Sequence, residues 1–260
     1  YYEGSLQEWI NLFYHEDGGV GVYGNPVYYG KNLYINNQPI REITIPDGQE
    51  YVPSNLIQGW SNLEIINLPD SIKRIDNNTF AGCYYLKEIQ LSDQITHIGN
   101  SAFEGCSGIT TLNLSDAITY IGKAAFKNCY NLKELTIPST ITEIYPETFY
   151  ECHSLLNLVL PETVTKIGED AFYNCYNLLE LVIPKNVGNV EPMSLVGCNN
   201  LSKLTLPYLG VTNEDCFKSL FNYQVPSTLI EVTITGGNRI YFSSFNGLNH
   251  LRTINLPETI

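Results

Sequence analysis

The feature that most constrains this chain is a cysteine that returns at a constant step along the sequence. The members of this series are Cys83, Cys106, Cys129, Cys152, Cys175 and Cys198, each the same distance from the next. A fixed period between about 20 and 50 residues is typical of solenoids, in which each repeat packs only against its neighbours. The sequence therefore predicts one elongated array of stacked repeats.

Apolar residues accompany the cysteine at constant offsets. With the first apolar residue of each copy as position zero, apolar residues also stand at positions three, five, nine and twelve, and Pro or Ser usually stands at position six. Regular copies begin at Ile40, Leu63, Leu86, Ile109, Leu132, Leu155 and Leu178, and the spacing never slips between residues 40 and 200. Because one insertion would misalign the inward side chains, the unbroken spacing predicts that every copy packs on the next.

Each copy has the pattern of two short strands and a corner. Apolar residues at positions three and five flank a residue that is usually polar, as in Leu112-Asn113-Leu114, which is strand periodicity. Stacking these segments predicts a parallel sheet, and Pro at position six ends each strand because it cannot donate to the ladder. Residues 118–121 indicate a second extended segment on the opposite wall. Residues 102–106 indicate a one-turn or 3₁₀ corner that places Phe103 in the core.

The two ends of the chain depart from the period. Residues 1–39 are predicted to form an N-terminal partial repeat or cap, with a capping box from Ser5 to Glu8 and a helix from about Leu6 to Phe13. Residues 40–260 are predicted to be the repeats. The step from Leu201 to Leu229 is longer than the regular step, which predicts an irregular insertion at 207–228 with a short helix. The last repeat is truncated, so we expect a longer protein with its signal and anchor outside this chain.

Charge and hydropathy exclude several classes of partner. The formal net charge is −13, which opposes nucleic-acid phosphates and anionic lipids. No run approaches the roughly 18 to 20 apolar residues that a membrane span requires. We therefore expect a protein or glycan partner, no nucleic acid and no membrane insertion in this segment.

The pattern LxxLxLPxxIxxIxxxAFxxCxxL over residues 40–260 resembles that of the BspA-like leucine-rich repeats. The resemblance implies an α/β-type repeat solenoid dominated by β structure. In this right-handed leucine-rich-repeat solenoid, a parallel sheet forms one face, and short strands, turns and 3₁₀ corners form the other. It also implies a noncatalytic, extracellular recognition role in adhesion or another protein–protein interaction, without assigning any functional residue.

The periodic cysteines admit three interpretations: buried free thiols, disulfides or a metal site. Neighbouring copies would place Cα atoms about 4.8 Å apart, within disulfide range, but their Cβ atoms would point in parallel. A zinc site needs convergent ligands. The favoured interpretation is that these cysteines are buried core fillers, and no metal or cofactor is expected.

No constellation of residues indicates catalysis. The four histidines are scattered, without zinc-type spacing. His153 takes the turn position that Tyr84, Tyr130 and Tyr176 take in other copies, which favours a turn residue over a general base. The chain is therefore predicted not to be an enzyme.

Two sets of residues are candidates for partner binding. Outward sheet positions change from polar to apolar at Leu156, Val159, Leu179 and Val182, and apolar patches with polar rims often mark interaction sites. The alternative is that a terminal segment or the insertion covers them. The second set is Tyr84, Tyr130 and Tyr176 on one edge, suited to protein interfaces or sugar stacking, with packing of turn against turn as the alternative.

Three functional hypotheses follow from these features. The first is surface adhesion through a protein partner. The second is a glycan-binding module of a surface uptake system or enzyme, which would need exposed aromatic residues on the edge. The third is a structural spacer.

Overall fold

The computed structural model describes Ser5, Glu8 and residues 33–35, 37–207, 216–236 and 244–258. The strands are β1 (Tyr34–Ile35), β2 (Gln38–Pro39), β3 (Glu42–Thr44), β4 (Tyr51–Val52), β5 (Ile65–Asn67), β6 (Arg74–Ile75), β7 (Glu88–Ile89), β8 (His97–Ile98), β9 (Tyr120–Ile121), β10 (Glu134–Thr136), β11 (Glu143–Ile144), β12 (Asn157–Val159), β13 (Lys166–Ile167), β14 (Glu180–Val182), β15 (Asn189–Val190), β16 (Lys203–Leu206), β17 (Glu231–Ile234) and β18 (Thr253–Asn255). One helical turn, α1 (Cys216–Ser219), precedes β17.

The strand that each copy contributes at positions two to four builds the first wall. It consists of two parallel sheets, β3-β5-β7 and β10-β12-β14-β16-β17-β18. Leu135 pairs with Leu158 and Leu158 with Leu181, so the register equals the repeat period of the sequence. The copy between the sheets contributes one bridge, from Thr111 to Glu134. The strand predicted at 112–114 is therefore not formed, since pairing stops at the residue before it.

The insertion predicted after Cys198 lengthens one copy and leaves the wall continuous. Lys203 pairs with Glu231, and Glu231 in turn pairs with Thr253. The first of these steps is longer than the repeat period and the second is slightly shorter, yet the strands remain in register. Helix α1 lies within the longer copy, and Phe217 and Phe221 are buried there. The short helix predicted through residues 216–221 is present but ends at Ser219, and Leu220 and Phe221 follow it in a turn. The residues proposed to cap it, 213–215, lie outside the described residues.

The second wall follows the second extended segment of each copy. Its parallel sheets are β4-β6-β8-β9 and β11-β13-β15. Of the extended segment predicted at residues 118–121, residues 120–121 form strand β9. Before the regular copies, β1 and β2 form an antiparallel pair. The capping box is also present, since the Ser5 N–H donates to Glu8 Oε2 at 2.7 Å and the Glu8 N–H donates to Ser5 Oγ at 3.2 Å. The helix predicted as far as Phe13 lies outside the described residues, and the division at residue 40 stays a prediction.

The corners stack through their own backbone hydrogen bonds. The N–H groups of Asn78, Phe80 and Gly82 donate to carbonyls of the next copy at 2.9, 2.9 and 2.7 Å. Asn78 and Gly82 have φ values of 54° and 78°, and this left-handed backbone favours Gly and Asn. The Cys83 N–H closes a turn on the Phe80 carbonyl at 3.0 Å, as expected for 3₁₀-type corners.

The core contains one row of phenylalanines and one row of thiols. The phenylalanine row comprises Phe80, Phe103, Phe126, Phe149 and Phe172, all fully buried, with neighbouring ring centroids 5.2 to 5.8 Å apart. The six periodic cysteines are buried free thiols. Each donates its S–H to a carbonyl of the preceding copy at 3.1 to 3.3 Å. Their burial as free thiols confirms these cysteines as core fillers. Burial also raises the pKa of Cys83, Cys129 and Cys198 to about 12.

Candidate recognition surfaces

Four apolar side chains lie on the outside of the first wall, two on strands β12 and β14 and two at the residues just before these strands. Leu158 points inward and is buried, whereas its neighbour Val159 is 69% exposed. Val159 pairs with Val182 in the adjacent strand. Leu156, Leu179 and Val182 are 37%, 48% and 46% exposed. We call these four residues, Leu156, Val159, Leu179 and Val182, the apolar patch; within the described part of the chain no segment covers them.

Polar residues border the apolar patch along the solenoid axis. On one side Lys133 and Thr136 are exposed, and on the other Ser202 and Thr205 are half-buried. Lys203 Nζ lies 3.8 Å from Glu231 Oε2 beyond that edge. An apolar centre with a polar rim is the usual arrangement of a protein interaction site.

The repeat position of Leu156 and Leu179 is charged in the first three copies. Arg41 pairs with Glu64 across adjacent copies, and Lys87 Nζ lies 3.1 Å from Glu64 Oε2 on the other side. We call Arg41, Glu64 and Lys87 the ion-pair row. Hydrogen bonds from Lys87 and Arg41 lower the pKa of the Glu64 carboxyl, because they stabilise its charged form.

The tyrosine edge combines packing with exposure. The Tyr130 and His153 ring centroids are 4.9 Å apart, and those of His153 and Tyr176 are 4.6 Å apart. His153 also contacts the carboxylate of Glu151. The three rings therefore pack turn against turn, as the alternative interpretation expected, and His153 is held within the row. Burial raises the pKa of Tyr130 and Tyr176, and the Glu151 charge adds to the effect.

Tyr84 stands apart from this aromatic row because Ser107 occupies the corner position between Tyr84 and Tyr130. Tyr84 is 52% exposed and Tyr130 38% exposed. The gap between them is a groove of about 400 Å³, which we call the tyrosine groove. Its lining residues are Gln58, Gly59, Asn78, Ala81, Gly82, Tyr84, Glu104, Gly105, Asn128 and Tyr130.

The sequence prediction did not find this groove, although it named both tyrosines. The available signal was a small residue between two tyrosines at one repeat position, together with glycines in three successive corners, Gly59, Gly82 and Gly105. Tyr176 lies beyond His153 and does not line the groove. Of the three predicted tyrosines, two therefore line the groove, and the third packs against His153 outside it.

The described residues contain neither a metal-type cluster nor a membrane-spanning helix. No three side chains of the metal-ligating types come together within the described ranges. Among the same residues, no helix has the length and apolar character needed to cross a membrane.

These features define a class of protein, the leucine-rich-repeat solenoid: parallel strands in fixed register, one apolar row per repeat position and variable outward residues. Family comparison identifies the class further. The profile of the BspA type leucine-rich repeat region, in six copies, matches residues 28–156 and 142–260. The chain belongs to this family, as the sequence pattern predicted.

Solved structures of bacterial leucine-rich-repeat proteins resemble the chain. A leucine-rich repeat protein from Bacteroides ovatus is 25% identical with a TM-score of 0.58, over 85% of this chain and 62% of that one. A leucine-rich cell surface protein from Faecalibacterium prausnitzii is 21% identical with a TM-score of 0.49, over 84% and 60%. The chain thus spans about three fifths of the length of each. No curated protein matches the chain.

Proposed function

We propose that the chain is a noncatalytic extracellular recognition scaffold that binds a protein partner through the apolar patch. The observation that carries this proposal is the exposure, 37% to 69%, of Val159 and Val182 on adjacent paired strands and of Leu156 and Leu179 just before those strands. Exposed apolar area of this kind loses contact with water when a partner covers it, which stabilises the complex.

The strands hold the apolar patch in one arrangement. Val159 and Val182 are opposite each other in a ladder that continues into β10 and β16. The inward residues of the same strands, Leu158 and Leu181, are buried in the core. A surface fixed in this way loses little conformational freedom on binding, so more of the contact energy appears as affinity.

Charge indicates the chemistry of the partner. The chain has a net charge of −13. Glu180 is exposed on β14, a strand of the apolar patch, and Glu134 is exposed on the neighbouring strand β10. A partner with an apolar centre and a basic rim would complement this surface and be steered toward it. We propose a protein of a host matrix or of another cell surface, which makes the role adhesive.

Family membership supports the extracellular location. The chain carries the BspA type leucine-rich repeat, and the resemblance to this family implies a surface or secreted protein. The acidic charge is in keeping with a location where nucleic acid is not the partner. Location can be measured directly by protease treatment of intact source cells, which should degrade a surface protein.

The function is tested by placing charge on the apolar patch. Leu156→Glu and Leu179→Glu are expected to weaken binding to a panel of purified extracellular-matrix proteins at least about tenfold, because burying an unpaired carboxylate is costly. Thr110→Glu is the matched control, since it is exposed at the same repeat position outside the patch. Circular dichroism should show unchanged folding in all three variants. Equal binding by the Leu156 variant and wild type would refute the proposal.

A further inference from the structure

We infer that the tyrosine groove is a second ligand site and that it takes a neutral saccharide. The groove lies on the corner side of the early copies, between Tyr84 and Tyr130. The apolar patch lies on the sheet of later copies, on β12 and β14 and the residues before them. The two sites share no residue, so this inference stands apart from the proposed protein partner.

The walls and floor of the groove suit a flat ring. Tyr84 and Tyr130 supply aromatic groups from copies two repeats apart, roughly 9.6 Å at the usual strand spacing. The floor contains Gly82 and Gly105, with φ values of 78° and 74°. A Cβ added at Gly105 would lie 3.4 Å from the Tyr84 ring, so the ring leans over this glycine. Backbone without side chains keeps the floor low and lets a ligand approach.

Polar groups that both donate and accept hydrogen bonds surround these rings. Gln58, Asn78 and Asn128 bring three amide side chains to the groove, and Glu104 brings a carboxylate. The side-chain oxygen of Gln58 is buried and has no hydrogen-bond partner within the described part of the chain. A buried acceptor without a partner is destabilising. Rotation of this amide would bring its oxygen to a ligand hydroxyl, so a bound ligand would supply the missing hydrogen bond.

The combination selects a sugar over other small ligands. A pyranose has apolar C–H faces that pack on aromatic rings and hydroxyls that pair with amides and carboxylates. No Lys or Arg lines the groove among the described residues, and Glu104 contributes negative charge. Anionic ligands such as phosphate, sulfated glycans and sialylated glycans are therefore disfavoured. The volume of about 400 Å³ is within the usual range for small-molecule sites.

The experiment begins with a glycan array that contains neutral, sialylated and sulfated oligosaccharides. Wild-type protein is expected to bind neutral glycans only, and calorimetry with the best neutral oligosaccharide then gives the dissociation constant. Tyr84→Ala and Tyr130→Ala should each weaken binding roughly tenfold, in line with the stacking contribution of an aromatic ring. Tyr85→Ala is the matched control, because Tyr85 is adjacent, 60% exposed and outside the groove.

A second variant tests the charge argument without removing an aromatic ring. Glu104→Gln should allow sialylated glycans to bind, where wild-type protein binds none, because it removes the repulsion. Exclusive binding of anionic glycans, no binding of neutral glycans, or an equal loss in Tyr85→Ala would overturn the inference. Leu156→Glu should leave saccharide binding unchanged, so the protein-binding proposal and this one can fail separately.

Discussion

The ion-pair row shares its repeat position on the first wall with two residues of the apolar patch, yet their chemistry is opposite. Arg41, Glu64 and Lys87 attract one another across copies. Leu156 and Leu179 stand at the equivalent position with exposed apolar side chains. The difference shows that the outer surface varies along the solenoid while the strand register remains constant.

The constant interior accounts for this freedom. Ile43 under the ion-pair row and Leu158 under the apolar patch are both buried, and both belong to strands that pair at the same repeat step. Stability in such arrays comes from the inward rows and the contacts between neighbouring repeats. Outward residues are therefore available for recognition, and their replacement should affect folding little.

The largest expected effect comes from removing an interior ring. Phe103→Ala, in the copy of Lys87, and Phe172→Ala, in the copy of Leu156, should each reduce the free energy of unfolding by about 3 to 5 kcal/mol, because each leaves a cavity in the core. Both rings are fully buried. Urea unfolding followed by circular dichroism measures the loss. A loss of stability in only one of the two variants would show that the core is not equivalent in the two copies.

A smaller effect is expected from the thiol row. Cys106 Sγ donates to the Phe80 carbonyl at 3.2 Å and Cys175 Sγ to the Phe149 carbonyl at 3.3 Å. Cys106→Ala and Cys175→Ala should each reduce the free energy of unfolding by about 1 to 2 kcal/mol, through the lost hydrogen bond and lost packing. The same urea titration applies, with exposed Tyr85→Ala as the control. No change in either variant would mean that the thiols add nothing to stability.

The smallest effect is expected from Glu64→Gln in the ion-pair row. The folded-state pKa of Glu64 is lowered, so its contribution is present above the unfolded-state pKa and is lost as the pH falls through the folded-state pKa. The reduction in melting temperature should therefore be greatest near neutral pH, disappear in acid and be weakened by about 1 M salt.

Glu88→Gln is the control for this last variant. Glu88 is exposed on the same wall, and no ion pair to it is present within the described residues. A loss for Glu64→Gln as large as that for Phe103→Ala would contradict the view that the outer surface is independent of the fold.

The sequence was sufficient for the fold because the inward residues repeat. A constant offset between Leu135 and Leu158 directly predicts the observed register. The longer step from Leu201 to Leu229 likewise predicted where one copy is extended. Strand length was less predictable, as the single bridge at Thr111 shows, because a ladder depends on backbone geometry that the apolar pattern does not specify.

The candidate sites were predictable in part. Leu156 and Val159 were identified as outward residues, and their exposure could only be seen once the whole chain was folded. The tyrosine groove was not predicted because it forms where side chains are small or absent. Its shape comes from Ser107, absent side chains in the corners and the lean of the Tyr84 ring over Gly105. The periodic apolar pattern predicts which residues fill the core, and it contains little information on where a surface groove forms.

The fixed register of the copies has one more consequence: the molecule works as a ruler. Each copy moves a given repeat position by one strand spacing, about 4.8 Å, along the axis. Binding groups on this surface can therefore be separated only by whole multiples of that step, as Tyr84 and Tyr130 are by two copies. Moving a binding residue to the same position of the next copy shifts its contact by one strand spacing and leaves the scaffold unchanged. The binding groups of the partner must therefore have the same spacing.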